Sequence, residues 1–231
     1  MESITFDNEK NTWKDWRLRI TSIVIGYPEP KLVQTQVPGM DGILDRTEEF
    51  GPVRYSNRKI QIIFDYDGDY DTWSKISAEI SNYLHGINRK VVLSTDPGYY
   101  YVGRLKFETT KSNDVICDLK ITGDMEPYKY ETAPDDGNWL WDPFSFEDGI
   151  IREYGNIQVE GQYTMVVPGR KKPVVPIITA SDIMTVEFRG MTYTVEVGRN
   201  KLYDVILTEG ENTLIFRGNG VITLEYKGGI L

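Results

Sequence analysis

The run Asp65-Tyr66-Asp67-Gly68-Asp69-Tyr70-Asp71 holds the densest set of chemically capable side chains in this sequence. Carboxylates at alternate positions suit a hard cation such as calcium. The spacing argues against it, because a loop of that kind begun at Asp65 needs Gly at its sixth position and Glu at its twelfth, where Tyr70 and Ile76 stand. The run reads instead as a solvated strand-to-helix loop, with Asp71 capping the helix and the acids suiting its positive start.

The remaining candidates for chemistry are isolated. His85 is the only histidine and Cys117 the only cysteine, which excludes an intrachain disulfide and a Cys/His zinc site. His85 precedes Gly86 at the expected end of a helix, where a partly charged imidazole favours the negative terminus. Cys117, between Ile116 and Asp118 in an apolar stretch that includes Leu119, reads as a small buried residue. There is no Gly-x-Ser-x-Gly elbow, and no base is marked beside a nucleophile. The 35 acidic residues offer many accidental carboxylate pairs, none singled out as a glycosidase pair. Gly218-Asn219-Gly220 lacks the Lys and helix of a phosphate-binding loop and reads as a turn between two strands. Arg170-Lys171-Lys172-Pro173 is the only basic run and reads as a solvated loop. No catalytic, metal or cofactor-binding residue is assigned, and no cofactor is expected.

The elements that hold these residues are mostly strands. Leu18, Ile20, Ile23 and Ile25 mark one, and the alternation through Arg58, Ile60, Ile62 and Phe64 marks another. Between them the Pro38-Gly39 and Asp41-Gly42 pairs reverse the chain, giving a long hairpin over 33–54. One helix follows Asp71, since Trp73, Ile76, Ile80, Tyr83 and Leu84 share a stripe and Gly86 ends it. Strands resume over 90–94, 99–109 and 115–122. Residues 126–154 combine breakers with Trp139, Trp141, Phe144 and Phe146, and read as an extended connection lying on a surface. Eight short strands are expected over 155–160, 162–167, 174–179, 184–188, 191–197, 204–207, 212–217 and 220–226, an antiparallel sandwich or jelly roll.

The totals agree with a soluble, folded, mainly β protein with one helix. The 231 residues suffice for two domains, and 12% aromatic content favours strands and contact surfaces. No apolar run approaches a membrane span and no signal-peptide pattern opens the chain, so membrane insertion is not expected. A formal charge of −9 opposes a phosphate-neutralising surface. The acid excess is local: Lys and Arg against Asp and Glu number 17 to 20 over 1–130, 1 to 7 over 131–154 and 8 to 8 over 155–231. Three parts follow, with a first domain at 1–130, an acidic aromatic connection at 131–154 and a second domain at 155–231.

The order of parts resembles a known family. A first domain carrying Gly51-Pro52-Val53-Arg54-Tyr55-Ser56-Asn57-Arg58-Lys59-Ile60-Gln61-Ile62, a helix ending Asn82-Tyr83-Leu84-His85-Gly86, and then Leu93-Ser94-Thr95-Asp96-Pro97-Gly98-Tyr99-Tyr100-Tyr101-Val102-Gly103-Arg104 are similar to the distal tail protein (Dit) family of siphophages infecting Gram-positive bacteria. The ending Glu209-Gly210-Glu211-Asn212-Thr213-Leu214, Gly218-Asn219-Gly220 and Tyr226-Lys227-Gly228-Gly229 looks like that family's closing strands.

This resemblance implies a tail-tube-like first domain that assembles into a hexameric ring, in single or stacked rings, and a galectin-like second domain. It implies a non-enzymatic hub in the virion tail tip, made in the host cytoplasm and joining the tail tube protein to the tip or baseplate. Tail-associated and receptor-binding proteins are the implied partners, with DNA as passing cargo in an acidic channel. Galectin-type lectins bind sugar through a set that includes His and Trp, and 155–231 contains neither. The expected interface residues are Pro38, Met40 and Ile43 on the hairpin and Trp139, Trp141 and Phe144 in the connection. The alternative is a carbohydrate-binding adhesin module stacking sugars on Trp139, Trp141 and Tyr99 to Tyr101.

Overall fold

A computed structural model describes residues 2–112, 115–132 and 154–231. The chain forms two compact units, one of the chain to Asp96 with Tyr101–Pro127, the other of Pro97–Tyr100 with Tyr128–Ile230. Both are mainly β.

In the first unit, β1 (Ile4–Phe6), β2 (Lys10–Asn11) and β3 (Leu18–Ile25) lead to a hairpin of β4 (Gln34–Thr35) and β5 (Leu44–Asp45), then β6 (Arg58–Tyr66). A 3-10 turn (Tyr70–Thr72) runs into α1 (Trp73–Leu84), and β7 (Asn88–Leu93), β8 (Asp96–Ser112, its Pro97–Tyr100 belonging to the second unit) and β9 (Val115–Met125) complete it. The sheet runs in the order β2-β1-β7-β8-β9-β6-β3. In β6, Arg58, Ile60, Ile62 and Phe64 are buried while Lys59, Gln61, Ile63 and Asp65 are exposed, as a strand with one covered face requires. Ile20 and Ile23, three apart, both pack on the core because the β3–β6 register shifts between Ile20 and Ser22, a bulge that inserts one residue.

The stripe on α1 covers this core. Trp73, Ile80 and Leu84 are buried, and Ile76 and Tyr83 pack beside them. Each fully buried side chain of this stripe contributes ~2 kcal/mol through apolar surface removed from water. The cap differs from expectation. Asp69, not Asp71, accepts a backbone N–H with its carboxylate, from Asp71 at 3.0 Å, and it opens the 3-10 turn from which α1 continues. The chain must turn before the helix can lie flat on the sheet, so the cap falls two residues earlier. Glu79 Oε1 accepts from Trp16 Nε1 and from Lys10 Nζ, both at 3.1 Å, tying α1 to the segment after β1.

The second unit contains β10 (Lys129–Glu131), β11 (Ile157–Gly169), β12 (Ile177–Ala180), β13 (Met184–Phe188), β14 (Met191–Val195), β15 (Gly198–Asn200), β16 (Gly210–Glu225) and β17 (Gly229–Ile230). β11 and β16 pair without interruption from Ile157 opposite Ile222 to Gly169 opposite Gly210. This corrects the reading of 155–167 and 212–226 as two pairs of short strands. Gly218-Asn219-Gly220 is a bend inside one strand rather than a turn. Gly218 and Gly220 have φ of 143° and 141°, and a Cβ on them would lie 2.7 Å from Met184 Cβ and from Ser181 Oγ. Only glycine allows that backbone and that approach.

The bend divides the ribbon. β13 and β14 extend the half of β16 before it, and β12 and β15 the half after it. Residues from both halves, including Val186, Leu214 and Phe216 from one and Ile178, Ile222 and Leu224 from the other, form a single core. The segment expected as a strand at 204–207 makes only the isolated bridge between Val174 and Leu207. The basic run is not a simple solvated loop: Arg170 Nε donates to the buried Glu131 carboxylate at 3.0 Å, and Lys172 Nζ donates to the Tyr130 hydroxyl at 2.7 Å.

Candidate functional site

Two acids of the run serve local structure. Asp65 pairs with Arg19 at 2.9 Å, and Asp69 organises the 3-10 turn. Among the described residues no three His, Cys, Asp or Glu groups converge where a metal ion would sit. The His85 ring does not turn to the helix end as expected. Its Nδ1 lies 3.1 Å from the Phe107 carbonyl oxygen and 3.3 Å from the Phe107 backbone nitrogen, so it fastens α1 to β8. The helix end is closed by backbone, with His85 N donating to Ser81 O and Gly86, at φ +76°, leading away. The side chain of Cys117, and Trp139, Trp141 and Phe144, lie outside the described residues.

What the described residues do present is an apolar arm. Its base is the bridge between Pro30 and Tyr55, reinforced by Lys31 N donating to Arg54 O at 2.7 Å. β4 and β5 form the ladder, with Gln34 opposite Asp45 and Thr35 opposite Leu44. At the tip, Met40 N donates to Val37 O at 3.1 Å, and Gly39 has φ +83°. Pro followed by a left-handed Gly is what a type II turn demands. The Asp45 carboxylate accepts from Thr47 N and from Gln34 Nε2, and the Thr47 side chain and backbone, then Gln34, hold it below its ordinary value.

Pro38, Met40 and Ile43 all sit in solvent on this arm, Met40 at 46% and Ile43 at 52% exposure. They are joined there by Leu32, Val33, Val37, Leu44 and Phe50, none of which the sequence reading had selected. The signal was available: apolar residues cluster between the two reversing pairs and the strands that flank them, with no partner pattern to bury them. A folded domain seldom leaves this many large apolar side chains of one hairpin in water unless something covers them.

The first unit's sheet is polar on its uncovered side. Lys59, Gln61, Arg104, Lys106, Thr122 and Asp124 line a shallow depression there. Among the described residues, no helix is long and apolar enough to cross a membrane.

No protein-family model matches the chain, and no curated protein sequence matches it. A solved structure does: the Dit protein (gp 19.1) of SPP1 is similar over 100% of this chain and 100% of its own, with a TM-score of 0.58 and 12% sequence identity. The chain has that protein's fold. The SPP1 protein is described as a paradigm of the hub adsorption apparatus in phages infecting Gram-positive bacteria. The match runs end to end on both chains.

Proposed function

We propose that this chain is the structural hub subunit of a long non-contractile phage tail. Its first unit is a tail-tube-like domain that closes into a hexameric ring, and its second is a galectin-like sandwich. The ring joins the tail tube to the tip or baseplate and leaves a channel through which DNA passes. The chain acts by assembly and not by catalysis. Its partners are further copies of itself, the tail tube protein, a tail tip protein and, through the tip, receptor-binding proteins.

One observation carries this reading: a fold shared over the whole chain with a phage hub protein, in a molecule that presents an exposed apolar arm. An arm of this kind gives a heterologous contact, the same two patches meeting in every pair of neighbours, and such contacts close into a ring when the rotation per subunit fits. The sheet also offers the eight-residue edge strand β3, which ring closure would cover.

In the virion that encodes it, gold-labelled antibody against this chain is expected to mark the distal end of the tail. Label on the capsid, or absence of the chain from purified particles, overturns the proposal.

A further inference from the structure

In the second unit, the strands on the near side of the bend stand in the order β11-β16-β13-β14, each antiparallel to the next. Their registers line up in straight rows. Tyr163, Phe216, Val186 and Tyr193 form one, Thr164, Ile215, Glu187 and Thr192 the next, and Met165, Leu214, Phe188 and Met191 the third. The middle members of the first and third rows, Phe216, Val186, Leu214 and Phe188, lie in the core. Side chains alternate across a strand, so the second row points the other way.

Both core-facing rows run out into solvent at an edge. Phe216 and Val186 are fully buried, yet Tyr163 at the β11 end of their row is 37% exposed. Leu214 and Phe188 are buried, yet Met191 at the β14 end of theirs is 62% exposed. Among the described residues β11 pairs with β16 alone and β14 with β13 alone, so each has an outer side without a neighbouring strand. Neither edge carries the usual guards against pairing: 161–167 and 191–195 hold no Lys, Arg, Asp, Glu or Pro. An unguarded edge is a template on which another strand adds by backbone hydrogen bonds.

We propose that β14 of one copy adds to β11 of a second copy, with Met191 opposite Met165, Thr192 opposite Thr164 and Tyr193 opposite Tyr163. Three antiparallel pairings separate the two edges, so β14 runs opposite to β11 and the new pair is antiparallel like every other in the sheet. This register carries the rows on from copy to copy and covers the open ends at Tyr163 and Met191. A slip by one residue would set core-facing side chains against solvent-facing ones. A second copy is the occupant because one chain carries both edges and their rows match. The inference rests on the ring-forming reading: β14 has five residues, too short a pairing to hold two copies by itself, and ring closure by the first units supplies the local concentration it needs.

Disulfide trapping in the full chain tests it. Thr164 and Thr192 of one molecule lie three strand spacings apart, roughly 14 Å at ~4.8 Å each, too far for a bond within the chain. Both are exposed. Thr164→Cys with Thr192→Cys and Cys117→Ser, oxidised with diamide, is expected to give a ladder of covalent oligomers that runs past the dimer, where either single-cysteine variant goes no further than a dimer. The slipped pair, Val166→Cys with Thr192→Cys, is expected to link at least ~10-fold more slowly, since its sulfurs are out of reach in this register. Should these variants fail to fold, hydrogen exchange on the wild type decides, with the amides of 191–195 expected to exchange at least ~10-fold more slowly in rings than in the dilute subunit. Rings without a ladder, a slipped pair that links as fast, or exchange that assembly leaves unchanged overturns this pairing while leaving the hub reading intact. A wild type that never self-associates overturns both.

Discussion

Gly161 stands directly opposite Gly218 in the β11–β16 ribbon, and Gly161 N donates to Asn219 Oδ1 at 3.0 Å across the bend. The corner is thus made by both strands: Gly161 has φ +73°, Gly218 +143° and Gly220 +141°. A side chain at 218 is strained by its backbone and also collides with Met184. Gly218→Ala is expected to cost about 1–3 kcal/mol. The loss appears as a lower melting transition that tracks the second unit, while Gly39→Ala, whose added Cβ meets nothing within 4 Å, leaves the second unit's transition in place.

A pH dependence follows from Glu79. The hydrogen bond from Trp16 Nε1, and then the one from Lys10, hold its carboxyl below the ordinary value of 4.5. A carboxyl depressed in the folded state stabilises fully above its unfolded value, and that contribution is lost as pH falls through the folded value. Wild-type stability is therefore expected to drop more steeply below about pH 4.5 than that of Glu79→Gln. Denaturant midpoints measured from pH 6 downward check this, and parallel curves for the two proteins count against the tie between α1 and Trp16.

How much of this was legible in the sequence depends on how local each signal is. The α1 stripe and the alternation in β6 are set by their own periods, and the Pro-Gly and Asp-Gly pairs fix the reversal of the arm; all three are present. Gly218-Asn219-Gly220 was misread because a tight turn and a bent strand use the same residues. What separates them is the strand opposite, and Gly161 lies 57 positions away. Asp69 and Asp71 are equally good caps until the angle at which the helix meets the sheet is known. His85 was placed at a helix end by sequence neighbours, whereas its ring partner, Phe107, comes from another strand. The row Lys59, Asp124 and Arg104 on the sheet face arises from three strands and has no signature in any one of them.

Loss of the arm's apolar surface is expected to disable assembly without unfolding the subunit. Met40→Asp with Ile43→Asp leaves the cores of both units untouched, since both side chains are exposed. The melting transition should hold to within the ~0.5 kcal/mol of ordinary surface changes, and the variant should sediment as a monomer where the wild type does not. A variant that assembles normally removes the arm from the interface.

The most direct test of the account is the particle formed by the purified full-length chain, seen as single-particle class averages together with its mass in solution. A closed six-fold ring with an axial hole, alone or in stacked pairs, is the expected result. A population made only of monomers or of two-fold dimers contradicts it.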